Sequence, residues 1–87
     1  MQTSPFTENY QQLAWAIITE QCREYHRWYM RAKKHPDNKY YARRVAELRF
    51  DLVERSWAQY LKIDIEVVVK EIERKADMGE EIIWKKS

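Results

Sequence analysis

Apolar residues recur along this chain at helical spacing and break off at three places, which divides it into three helices and a tail. The spacing predicts a first helix over about residues 6–34, with Tyr10, Leu13, Ala14, Ile17, Ile18, Tyr25, Trp28, Tyr29 and Ala32 turned inward. Trp15 and Cys22 widen that stripe beyond one face, so the helix should meet more than one neighbour. Some 28 helical residues span about 42 Å. Ser4-Pro5 fits its entry, because serine caps a free backbone N–H and proline is preorganised for the first helical position.

The first break is His35-Pro36-Asp37-Asn38. Proline disfavours a helical residue before it, and Asp37 or Asn38 can cap the next helix. That second helix is predicted over about residues 38–61, with Tyr41, Val45, Leu48, Leu52, Val53, Trp57 and Tyr60 facing in and Phe50 and Leu61 widening the arc. So short a connection makes the two helices antiparallel neighbours. Lys62-Ile63-Asp64 is the second break, with Asp64 as N-cap and Ile63 placed to staple onto Val68. A third helix follows over about residues 65–78, carrying Ile65, Val68, Val69 and Ile72, and Gly79 stands where a helix-ending glycine belongs. The tail, residues 80–87, holds the apolar triplet Ile82-Ile83-Trp84, which must pack on its own chain or on a partner to be ordered.

Composition agrees with this all-α reading. One glycine and two prolines in 87 residues leave few turns, and a chain of this length supports a single domain and a single core. Twelve aromatic residues and a 45% apolar fraction suffice for that core, while 34% charged residues and no apolar run near ~20 residues predict no membrane span. The first residues have neither a basic nor an apolar export region, and the lone Cys22 forms no internal disulfide; both predict a cytoplasmic protein.

Charge changes the picture more than composition does. Nine of the sixteen Lys and Arg residues (Arg23, Arg27, Arg31, Lys33, Lys34, Lys39, Arg43, Arg44 and Arg49) fall between residues 23 and 49, against three acids, Glu24, Asp37 and Glu47. Tyr25, Trp28, Tyr29, Tyr40 and Tyr41 are interleaved with them. Cations with flat rings suit an acidic protein surface, a second copy of the chain, or nucleic acid. The competing reading is a solvated helix face in which Arg23, Arg27 and Arg31 pair with Glu20 and Glu24 and the rings enter the core. A formal net charge of +2 is low for a dedicated nucleic-acid domain.

Chemistry is sparse. Cys22 and His26 stand four apart on one helix, but a structural zinc needs four ligands and no second pair exists, so no metal and no cofactor are expected. There is no Gly-rich phosphate loop, no H-E-x-x-H and no nucleophile beside a base, so no enzyme is expected either. Glu71, Glu73, Glu80 and Glu81 read as ordinary solvated carboxylates.

The run from Glu54 to Glu66, with Ser56-Trp57, Leu61 and Asp64-Ile65-Glu66, follows an apolar aromatic helix and a Pro-Asp-Asn turn. Over roughly residues 13–75 the chain resembles small helical accessory proteins encoded by phages and integrative mobile elements of Gram-positive bacteria. The resemblance implies no functional residues. It implies a setting, the host bacterial cytoplasm, in which such proteins bind and inhibit host or rival machinery, anti-CRISPR inhibitors among them.

The leading expectation is therefore a small, non-enzymatic, homodimeric interaction protein that binds and blocks a nucleic-acid-handling or defence complex. Arg27, Arg31, Lys34, Arg43 and Arg44 would steer the encounter, and Trp28, Tyr29 and Tyr40 would supply buried contacts. The alternative is a nucleic-acid-binding protein using the same residues. A third is a phage structural or assembly subunit whose contacts lie in the tail.

Overall fold

The computed structural model describes residues 5–80, with side chains from Tyr10 onward except that of Gln59. They form helix α1 (Pro5–Lys34), helix α2 (Lys39–Arg55), a single 3-10 turn (Trp57–Gln59) and helix α3 (Ile65–Asp77), with no strand among the described residues. The expected Ser4 cap and the expected tail contacts of Ile82-Ile83-Trp84 lie outside the described residues.

Rings fix the direction of the hairpin. Trp28 of α1 meets Tyr41 of α2 at 5.6 Å beside the connecting turn, and Tyr10 meets Trp57 at 5.9 Å at the far end, so α1 and α2 run antiparallel. Of the two candidate caps at the turn, Asn38 is the one used: its side chain accepts from the Tyr41 N–H at 3.1 Å. Asp64 caps α3 in the same way, accepting from the Val67 N–H.

Helix α2 stops at Arg55, not at the expected residue 61. The reason is Ser56, whose extended backbone (φ −82°, ψ 168°) leaves the helix while its hydroxyl accepts from the Ala58 N–H at 3.2 Å. A serine hydroxyl that bonds the backbone two residues on offers the chain an alternative to the next helical turn. The 3-10 turn then points Ala58 into the core, and the Ala58 carbonyl accepts from the N–H groups of Leu61 (3.1 Å) and Ile63 (3.2 Å). Lys62 closes this reversal at φ +55°. One consequence is that Tyr60, expected inside, is 76% exposed.

Helix α3 ends one residue short of the expectation, at Asp77, through paired terminal hydrogen bonds: Gly79 N–H to the Ala76 carbonyl (3.2 Å) and Glu80 N–H to the Lys75 carbonyl (2.9 Å). Gly79 takes the φ of +73° that this ending requires.

The core is built where α1 meets everything else. Ala14, Ile18, Cys22 and Tyr25 of α1 are buried, as are Leu52 of α2, Ala58 of the turn, and Ile65, Val69, Ile72 and Ala76 of α3. Tyr25 and Val69 are sealed completely. The wide stripe of α1 thus serves two neighbours, α2 on one flank and α3 on the other, as its width predicted. Leu13, expected inward, is 54% exposed, so the stripe is not buried along its whole length.

Candidate functional site

Helix α1 presents three flanks near the hairpin turn, and the predicted site residues are distributed over them unequally. The flank against α3 is structural. Tyr25 Oη donates to Glu73 Oε2, Tyr29 Oη donates to Asp77 Oδ1 at 2.9 Å, and Lys33 Nζ donates to the same Asp77 oxygen at 2.7 Å. Arg49 Nε of α2 reaches Glu73 Oε2 at 3.1 Å, so one carboxylate ties all three helices. Two pairs with the same offset, 25 to 73 and 29 to 77, show that α3 runs parallel to α1.

This arrangement corrects two expectations. Tyr29 is not an open contact residue, because its ring lies 5.9 Å from that of Tyr25 and its hydroxyl is committed to Asp77. Burial, with the Asp77 hydrogen bond, pushes the Tyr29 phenol up to about 12. Glu73 is not an ordinary solvated carboxylate, since its side chain is only 24% exposed and holds two partners. Glu71 does face solvent, paired with Arg74 at 2.6 Å.

On the α2 flank Trp28 is the centre of a ring cluster. Tyr40 stands edge-on to it at 5.9 Å, Tyr41 at 5.6 Å, and His35 stacks edge-on to Tyr41 at 5.8 Å. Trp28, Tyr40, Arg43, Arg44 and Glu47 line an open hollow of about 270 Å³ here. Arg44 is engaged by Glu47 at 3.3 Å, whereas Arg43 and Lys39 have no ion-pair partner among the described residues. Tyr40 is 62% exposed.

The third flank faces away from both neighbours. Arg23, His26, Arg27, Met30, Arg31 and Lys34 line a second hollow, of about 450 Å³. Arg23 and Arg27 sit 3.6 Å and 3.7 Å from Glu20 and Glu24, the pairing expected of a solvated face. Arg31 departs from it: its guanidinium lies 4.9 Å over the Trp28 ring and joins this flank to the ring cluster. His26 and Met30 were missed as site residues, although their own four-residue spacing beside Arg23, Arg27 and Arg31 placed them on that flank.

Seven of the eight predicted contact residues are therefore gathered at the hairpin end, on two adjoining flanks hinged at Arg31 and Trp28. As to metal, no group of three or more His, Cys, Asp or Glu among the described residues could hold an ion. Burial pushes the Cys22 thiol up to about 11, which disfavours the thiolate that would act as ligand or nucleophile, and lowers the His26 imidazole. No helix among the described residues is long and apolar enough to cross a membrane. No family model, curated protein or solved structure matches the chain.

Proposed function

We propose that this is a non-enzymatic interaction protein that docks the basic aromatic end of its α1–α2 hairpin onto an acidic patch of a protein partner and acts by occluding it. The observation that carries the reading is Arg31 laid over Trp28, with Tyr40 edge-on to that ring and 62% exposed. Arginine and aromatic side chains in one packed cluster are the residue types that dominate protein–protein hot spots. Arg43, Lys34 and Lys39, unpaired among the described residues, add attraction at longer range. The sequence resemblance supports taking that partner from nucleic-acid-handling or defence machinery of a bacterial host, in the manner of an anti-CRISPR inhibitor.

Nucleic-acid binding is the second reading, favoured by those same unpaired cations and weakened by the commitment of Trp28, which already packs against Arg31, Tyr40 and Tyr41. The deciding experiment compares wild type with Arg31→Glu/Arg43→Glu/Arg44→Glu and with Tyr40→Ala, after circular dichroism shows that all three fold alike. Capture of one partner from host lysate, lost in both variants, supports protein docking. Binding to labelled DNA or RNA that falls steeply with salt, and is unaffected by Tyr40→Ala, would replace it with the nucleic-acid reading.

A further inference from the structure

The outer flank of α1 has a regularity that specifies its partner more closely. Arg23, Arg27 and Arg31 recur every four residues, about 6 Å apart along the axis, and Lys34 extends the row by three. Carboxylates spaced by four on a second α-helix have the same ~6 Å repeat. We propose that the hollow lined by Arg23, His26, Arg27, Met30, Arg31 and Lys34 receives an acidic α-helix of the partner, its Asp or Glu residues at four-residue spacing facing the arginine row; this rests on the protein-docking reading above.

Four features favour that occupant. Met30 lies inside the row, and an unbranched thioether adapts to an apolar side chain on a facing helix. The contacts that hold Arg23 and Arg27 at rest are long, 3.6 Å and 3.7 Å, and reach only carboxylates of their own helix, so a partner carboxylate at hydrogen-bond distance competes with them favourably. Arg31 lies over the Trp28 ring at 4.9 Å and has no carboxylate partner among the described residues, so its N–H donors are available to a partner carboxylate. Finally, Glu20 and Glu24 flank the same row, where they would repel a continuous string of phosphates but meet the occasional lysine of a mixed-charge helix.

The test uses the full chain and three probes of equal net charge: a helical alanine-based peptide with glutamates four apart and one leucine between them, the same composition with the glutamates consecutive, and a short oligo-dT. Fluorescence anisotropy is expected to show the matched peptide binding about tenfold more tightly than the scrambled one, with Arg27→Gln losing about tenfold, the size of one charge-assisted contact. Lys70→Gln, at an exposed position of α3 outside both basic flanks, should leave peptide affinity within about twofold. Equal affinity for matched and scrambled peptides overturns the proposal, as does oligo-dT binding more tightly than either. If the peptides fail while partner capture remains sensitive to Tyr40→Ala, this inference falls and the docking reading stands. Loss of both removes the two together.

Discussion

Replacing Glu73 by alanine should cost this small protein a large share of its stability, and the size follows from the two bonds that end on Glu73 Oε2. The Tyr25 side chain has no solvent exposure, so its hydroxyl would be left buried without an acceptor, at about 1–3 kcal/mol. The Arg49–Glu73 contact is partly exposed, 42% on the arginine side, and solvent screening holds it to about 0.2–1 kcal/mol. The sum is about 1.2–4 kcal/mol, against a total of about 4–13 kcal/mol for a domain of this length. A loss near the middle of that range lowers Tm by roughly 10–20 °C. Urea unfolding followed by circular dichroism reads the same quantity as a drop in midpoint at constant slope. Tyr25→Phe in the Glu73→Ala background removes the orphaned hydroxyl and should be neutral or stabilising, although Tyr25→Phe alone is destabilising. A Glu73→Ala loss below about 0.5 kcal/mol, or Tyr25→Phe having the same effect in both backgrounds, would refute the assignment of Glu73 as the tie between the helices.

Alkaline pH should unfold the protein through the same flank. Cys22, Tyr25 and Tyr29 all have folded values raised above their ordinary 9.0 or 10.0, to about 11 for Cys22 and about 12 for Tyr29. The unfolded chain therefore releases these protons first, so stability is fully present below pH 9.0 and is lost progressively as pH rises toward about 12. The urea midpoint measured across that window should fall, and less steeply for Tyr29→Phe; a flat profile contradicts the burial of these groups. Lys62→Gly should raise stability by up to about 1 kcal/mol, since Lys62 sits at φ +55° where a side chain is strained, and no change in midpoint would show the strain to be absent. Gly79→Ala should cost about 1 kcal/mol although nothing lies within 4 Å of the added methyl, because the penalty is in the backbone at φ +73°.

The parts of the fold legible in the sequence were those set by local chemistry. Pro36 and Asn38 mark the hairpin turn, Asp64 the start of α3 and Gly79 its end, because each acts on backbone groups within a few residues. Ser56 acts just as locally, yet it lies within an apolar periodicity that continues through Trp57, Tyr60 and Leu61, and the pattern concealed the stop. The site was legible as a set of residue types and less so as a surface. Tyr29 and Trp28 are adjacent in sequence and about 100° apart on the helix, and which one turns to α3 depends on where α3 docks. Glu73 was opaque for the same reason, since its partners lie 48 and 24 positions away.

Helix α1 is consequently held on two flanks by α2 and α3, and this bears on how the third, with its row of cations, would work under the proposed docking. Tyr25, Tyr29 and Lys33 fix its rotation against α3, and Trp28 fixes it against Tyr40 and Tyr41. With the helix unable to turn, the row of Arg23, Arg27, Arg31 and Lys34 has a set direction before any partner arrives, and only side-chain rotamers remain to be ordered on binding. The contacts to Glu20 and Glu24, at 3.6 Å and 3.7 Å, lie within one helix and contribute little to its docking on α2 and α3, so charge changes on that flank should test the proposed recognition without unfolding the protein. The half-buried carboxylate of Glu73 and the Lys33-paired carboxylate of Asp77 hold the scaffold on the α3 flank, away from the proposed docking row. Stability and the proposed recognition thus fall on different faces of one helix, which is the condition under which substitutions can separate them.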